Sequence, residues 1–114
     1  MIAVIFEFAA AEGRFADYQK LAEGLNEEVR KLDGFISIER FQSISNADKF
    51  VSISFWRDEE ALRKWRNLQK HREAQASGRR GIFSSYRLRV GTVIRDYGLS
   101  ERGEAPKDSV AVHG

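Results

Sequence analysis

The sequence predicts an α+β fold of the split β-α-β-β-α-β, ferredoxin-like kind, with two helices on one face of a four-stranded antiparallel sheet. Three features point there. The chain opens on a two-residue apolar alternation, two stretches of helical spacing flank a pair of short strands, and a long alternating segment follows the second helix. At 114 residues and 42% hydrophobic, the chain fits one modest core and one compact domain over residues 1–98, followed by a tail over 99–114 that is expected to be flexible.

Each element has its own local reason. Ile2, Val4, Phe6 and Phe8 alternate with Ala3, Ile5 and Glu7, a strand with apolar side chains on both faces. From Gly13 to Leu32 the spacing turns helical, with Phe15, Tyr18, Leu21, Ala22, Leu25, Val29 and Leu32 on one stripe. Asp33-Gly34 ends that helix, the glycine suiting a left-handed position past the last turn. Phe35–Gln42 and Lys49–Trp56 read as a hairpin around the polar connection 43–48. Ile36, Ile38, Val51, Ile53 and Phe55 form the apparent core face of this pair, whereas Phe50, Ser52, Ser54 and Trp56 are expected on the opposite, open face. Asp58 is placed to cap a second helix carrying Ala61, Leu62, Trp65 and Leu68 to about Gln69, with Gln69 to Ser77 either extending it or forming a second short piece before Gly78. Phe83–Tyr97 is the fourth strand, with Gly91 at a change of phase. A sheet face left open with aromatic side chains is most simply covered by a second copy, so a homodimer is expected.

Composition removes several kinds of chemistry. There is no cysteine, hence no disulfide, thiolate metal site or cysteine nucleophile. No apolar run approaches the length of a membrane span and the N-terminus lacks a basic-then-apolar leader, so a cytoplasmic protein without a membrane partner is expected. The net charge of +2 hides a division: residues 1–62 sum to −5, residues 63–95 to +9 and residues 96–114 to −2. Arginines in the last strand, Arg87 and Arg89 among them, can pair with Glu39 or Glu7 across a dimer seam, grip an anionic ligand, or contact phosphates. Nucleic acid is the least favoured, because AVIFEF and KFVSISFW lack the glycine and aromatic pattern by which RNA-binding domains of this topology stack bases. No metal-ligand spacing, phosphate loop or serine-nucleophile turn is present.

What remains is a pocket chemistry built on aromatics, arginines and one histidine. Trp65 lies on the inward stripe of the second helix and His71 follows six residues later. Trp65 is either plain core or an apolar cavity wall. His71 is either a surface group or one that donates a hydrogen bond, ligates heme or a metal, or exchanges a proton near pH 7. Phe55, Tyr86, Arg87 and Arg89 are the candidate substrate-binding residues.

DGFISIERF, VSISFW, DEEALRKWRNLQKHREAQASGR and SYRLRV together resemble the antibiotic biosynthesis monooxygenase domain family over residues 1–97. The resemblance implies a dimeric α/β barrel, in which two ferredoxin-like sheets close on each other. It also implies a small monooxygenase, either a cofactor-independent oxygenase of aromatic quinols or polyketides or, alternatively, a heme-binding or heme-degrading enzyme. A noncatalytic dimeric ligand-binding protein is the third possibility within such a family. Trp65 matches the tryptophan of the heme-degrading members, His71 stands about one turn before their histidine, and Ile5-Phe6-Glu7 occupies the place of their first-strand asparagine. The roles implied are Trp65 as substrate wall, His71 as proton acceptor or hydrogen-bond donor, and Arg87 or Arg89 as partner of a substrate oxyanion or carboxylate.

Overall fold

The computed structural model describes the backbone of residues 1–75 and 81–113, and the side chains of residues 1–68 and 81–111. Its elements are β1 (Ile2–Ala10), α1 (Phe15–Val29), β2 (Phe35–Gln42), β3 (Lys49–Trp56), α2 (Glu59–Gln75), β4 (Phe83–Thr92) and α3 (Lys107–His113). The strands form one antiparallel sheet in the order β2-β3-β1-β4, the split β-α-β-β-α-β arrangement. No helix among the described residues is long and apolar enough to cross a membrane.

The ends of the elements have physical causes. Asp58 caps α2 through its Oδ1, which accepts from the Ala61 amide at 2.9 Å, and this bond more than any other holds its carboxyl below the usual range. α2 continues to Gln75, the extending alternative of the two open past Gln69. β4 ends at Thr92 and not at Tyr97, because its neighbour β1 begins at Ile2, the partner of Thr92, and offers nothing further to pair with. One last bond, from the Val93 amide to the Met1 carbonyl at 2.9 Å, closes that edge. Past it, the segment in which the sequence reveals no periodicity contains α3, whose Val110 amide donates to the Pro106 carbonyl at 3.0 Å.

Gly34 has a φ of +90°, and its carbonyl accepts the Arg57 amide at 2.8 Å, fixing how β3 leads into α2. A Cβ there would lie 2.6 Å from the Ala61 Cβ. Gly34→Ala is therefore expected to destabilise the fold by about 1–3 kcal/mol, read as a lowered urea midpoint at unchanged slope.

Register assigns the two faces of the sheet. Ile2, Val4, Phe6 and Phe8 share a face with Trp56, Ser54, Ser52 and Phe50 and with Thr92, Val90, Leu88 and Tyr86. This face lies under the helices, where Trp56 is fully buried and Ser54 nearly so. In β3 the expected assignment of faces is thus reversed: Val51, Ile53 and Phe55 lie outside, half-buried, and the aromatic and serine face lies inside, whereas Ile38 of β2 lies inside as expected, opposite Ser54. The burial of Trp56 drives the reversal. Trp56 is too large to leave in water, and its indole N–H finds the Ser54 hydroxyl at 2.9 Å, so its burial leaves no donor unpaired. Two apolar clusters result, one around Ile2, Val29, Trp56, Leu62 and Trp65, the other around Phe8, Tyr18, Ala22 and Ile82.

On the outer face Glu7 sits between Lys49 at 3.5 Å and Arg89 at 3.3 Å. Lys49 chiefly, with Arg89, holds the Glu7 carboxyl below its ordinary value; Arg57 does the same for Asp33 and Arg63 for Glu60. A carboxyl whose folded pKa is depressed favours the folded state above its unfolded pKa, and that contribution disappears as pH falls through the folded one. Stability is expected to hold from neutral pH down to the ordinary carboxylate values of 3.8 and 4.5, then to fall, which urea titrations at successive pH values would record.

Candidate functional site

Members of both clusters bound a cavity of about 540 Å³ between the helices and the sheet. Its existence follows from the middle of the sheet. Ser52 and Ser54 stand opposite Phe6 and Val4, where larger side chains would fill the space beneath α1 and α2. Leu21, Leu25, Leu62 and Trp65 descend from the helices, and Ile38, Leu88 and Val90 rise from the flanking strands.

The walls combine aliphatic side chains with a group of aromatic ones. Phe6 lies 5.4 Å from Phe83, edge to face, and 5.7 Å from Tyr86, while Trp65 stacks on Trp56 at 5.9 Å. Trp65 is only 5% exposed, whereas Tyr86 is 68% exposed at the open β4 side. Such a volume and lining suit a small ring system.

The polar groups are few and grouped. Arg40 reaches in from β2 and its Nε donates to the Tyr18 hydroxyl at 3.0 Å. Tyr18 is 9% exposed, and burial pushes its phenol pKa up, with Arg40 opposing in part. The phenol therefore stays protonated. Its oxygen accepts from Arg40 and its O–H remains available to donate, made a stronger donor by the charge behind it. Among the described residues the two terminal nitrogens of Arg40 take no hydrogen bond, so the cation can receive an anionic oxygen. Arg66 adds a second positive charge, and Ser52 and Ser54 supply hydroxyls.

The residues singled out in the sequence divide between the faces. Trp65 and Tyr86 line the cavity. Phe55, Arg87 and Arg89 do not, since each pairs in register with an outward residue of β1: Phe55 with Ala3, Arg87 with Glu7, Arg89 with Ile5. Arg89 forms an ion pair with Glu7 of its own chain, between neighbouring strands, in place of the pairing across a dimer seam expected from the sequence. His71 belongs to α2, but its side chain lies outside the described residues, as do Arg79 and Arg80. Among the described residues no group of acidic or histidine side chains is assembled to hold a metal ion. Arg40 and Tyr18 are the polar pair that sequence reasoning passed over, although Arg40 shares the parity of Ile38 and Tyr18 lies on the inward stripe of α1.

A match to the antibiotic biosynthesis monooxygenase family extends over residues 1–77 and takes in β1 through α2. The chain belongs to that family. Within it, the chain is 43% identical over 93 residues to a jasmonate monooxygenase, ABM, of Pyricularia oryzae, an alignment covering 82% of this chain and 43% of the relative. The chain thus spans less than half the length of that protein. Among solved structures, Rv0793 from Mycobacterium tuberculosis superposes with a TM-score of 0.71 at 18% identity, covering 85% of this chain and 98% of that one. SnoaB, a cofactor-independent oxygenase from Streptomyces nogalater, gives 0.67 at 15% identity, covering 83% and 94%. At those identities the two structures speak for the fold.

Proposed function

We propose that this antibiotic biosynthesis monooxygenase domain is a small cofactor-independent monooxygenase that oxidises an electron-rich aromatic substrate, a quinol or polyketide-like phenol, in the cavity under its helices. The observation that carries this is the pairing of Arg40 with the buried Tyr18 at the edge of a mainly aliphatic and aromatic cavity. The similarity to a protein named as a jasmonate monooxygenase supports the reaction class.

The chemistry asks for a deprotonated substrate. A ring CH₂ held between two aromatic rings and conjugated through them to a carbonyl, as in an anthrone, loses a proton to give an enolate that can reduce oxygen directly. In the overall change, R₂CH₂ and O₂ become R₂C=O and water: the substrate supplies all four electrons, one oxygen atom enters the new carbonyl, and the other leaves as water. Arg40 and the Tyr18 O–H stabilise the enolate oxygen by charge-assisted hydrogen bonds in a site of low dielectric. Trp65 and Tyr86 hold the ring plane, and His71 is the group proposed to accept the proton. Arg40 takes the oxyanion role that the sequence pattern gave to Arg87 or Arg89. A saturated aliphatic carbon lacks this electron supply, and its monooxygenation would consume two further electrons from an added reductant.

A homodimer completes the proposal, with Val51, Ile53 and Phe55 of the two outer faces packed together and the protein acting in the cytoplasm. The test is oxygen uptake with an anthrone and with a quinol, without added cofactor and against a buffer control. Saturable uptake of one O₂ per product is expected, and uptake no faster than the control overturns it. A heme-dependent enzyme would instead give a Soret shift with hemin that His71→Ala abolishes.

A further inference from the structure

A second cavity, of about 380 Å³, lies beside the first, and the two share Tyr18, Ala22 and Arg40. The hydrogen-bonded Arg40–Tyr18 pair is therefore common to both walls. The second cavity is aromatic on one side: Phe50 stacks on Phe15 at 5.0 Å and on Phe8 at 5.7 Å. Phe15 is 39% exposed although the rings of Phe50 and Tyr18 lie within reach, so the cavity keeps an uncovered aromatic edge that an apolar ligand would bury. The other side carries the amides of Gln19, Asn26 and Gln42 and the carboxylate of Glu23. The Gln42 amide nitrogen is engaged with the Ala47 carbonyl at 2.9 Å, which leaves its oxygen as an acceptor.

From this arrangement we infer that the second cavity is a subsite for the distal part of an extended substrate, a neutral aromatic or apolar group, whose anionic oxygen is held at Arg40 on the boundary between the cavities. Charge decides which end goes where. The first cavity contains Arg40 and Arg66, whereas the second adds Glu23, so an anion is stabilised at the boundary or in the first and repelled farther along the second. Rings on both sides of one guanidinium suit a molecule with two apolar arms about a central oxyanion or carboxylate. The inference takes from the proposed function only the identity of the first cavity as the reacting one.

Isothermal titration with 2-naphthoate and 3-benzyloxy-2-naphthoate, whose added arm leaves the ring beside the carboxylate, tests the subsite without calling on catalysis. The longer probe is expected to bind about 10-fold more tightly to the wild-type protein. Asn26→Trp, which places an indole in the second cavity, is expected to bring the ratio close to one, and Gln42→Trp, at an exposed strand position, checks the same point should Asn26→Trp fail to fold. Failure of either probe to bind, equal affinities in the wild-type protein, or a ratio that survives both substitutions overturns the subsite. A ratio that behaves as expected in a protein without oxygen uptake would uphold the subsite and defeat the oxygenase function.

Discussion

Oxygen uptake with a phenolic substrate is expected to fall about 100- to 1,000-fold in kcat when Arg40 becomes methionine, the loss typical of removing one donor from a developing oxyanion. Methionine keeps the length and apolar bulk of the arginine stem, so the half-buried β2 position stays filled and the cavity retains its shape. What disappears is the charge, together with the bond to Tyr18. Tyr18→Phe should cost less, about 10- to 100-fold, because Arg40 still faces the substrate oxygen. Arg40→Lys should recover only part of the loss, since an ammonium cannot hold the phenol with one nitrogen and present two parallel N–H groups with the others. The pH profile separates this role from mere packing. With the stabilising donors gone, the substrate must ionise in a less favourable site, and the rise of rate with pH should move to higher pH in Arg40→Met. An unchanged kcat and an unchanged profile would remove Arg40 from the reaction.

The largest effect on stability is expected at Trp56. It is fully buried, meets Phe35 edge to face at 5.4 Å and stacks on Trp65 at 5.9 Å. Trp56→Ala should cost about 3–5 kcal/mol, combining lost burial with the void left behind. The void would open toward the cavity wall, so Trp65 would lose its backing as well. Urea unfolding followed by far-ultraviolet circular dichroism measures this without relying on the tryptophan signal. A cost below about 1 kcal/mol would mean that Trp56 is not the buried side of β3.

The order of elements and the ends of β2 and β3 were legible because each rests on local rules: alternation, helical spacing, a cap at Asp58 and a glycine at 34. The face of β3 was not. Val51, Ile53 and Phe55 are more hydrophobic as a set than Phe50, Ser52, Ser54 and Trp56, and hydrophobicity alone sends the first set inward. The outcome depends on contacts distant in sequence, namely the Trp56–Trp65 stack and the registry of β3 against Ile2 and Val4. The same long-range registry decides the site. It places Arg40 under the helices beside Tyr18, 22 residues earlier in the chain, and sends Arg87 and Arg89 to the other face. An inward arginine in β2 at the parity of Ile38 was the available signal, and the conspicuous run of charge later in the chain drew attention from it. The end of β4 at Thr92 was likewise hidden, because strand length is set by the partner strand as much as by alternation.

Isotopic labelling of the oxidised product addresses the oxygenase proposal at its root. Anthrone turned over by the purified protein under ¹⁸O₂, with no added reductant or cofactor, should yield anthraquinone carrying one ¹⁸O atom and one equivalent of labelled water. Product whose new oxygen comes from solvent, or formation of product no faster than in buffer, would contradict a substrate-reduced, cofactor-independent oxygenation in the Arg40–Tyr18 cavity.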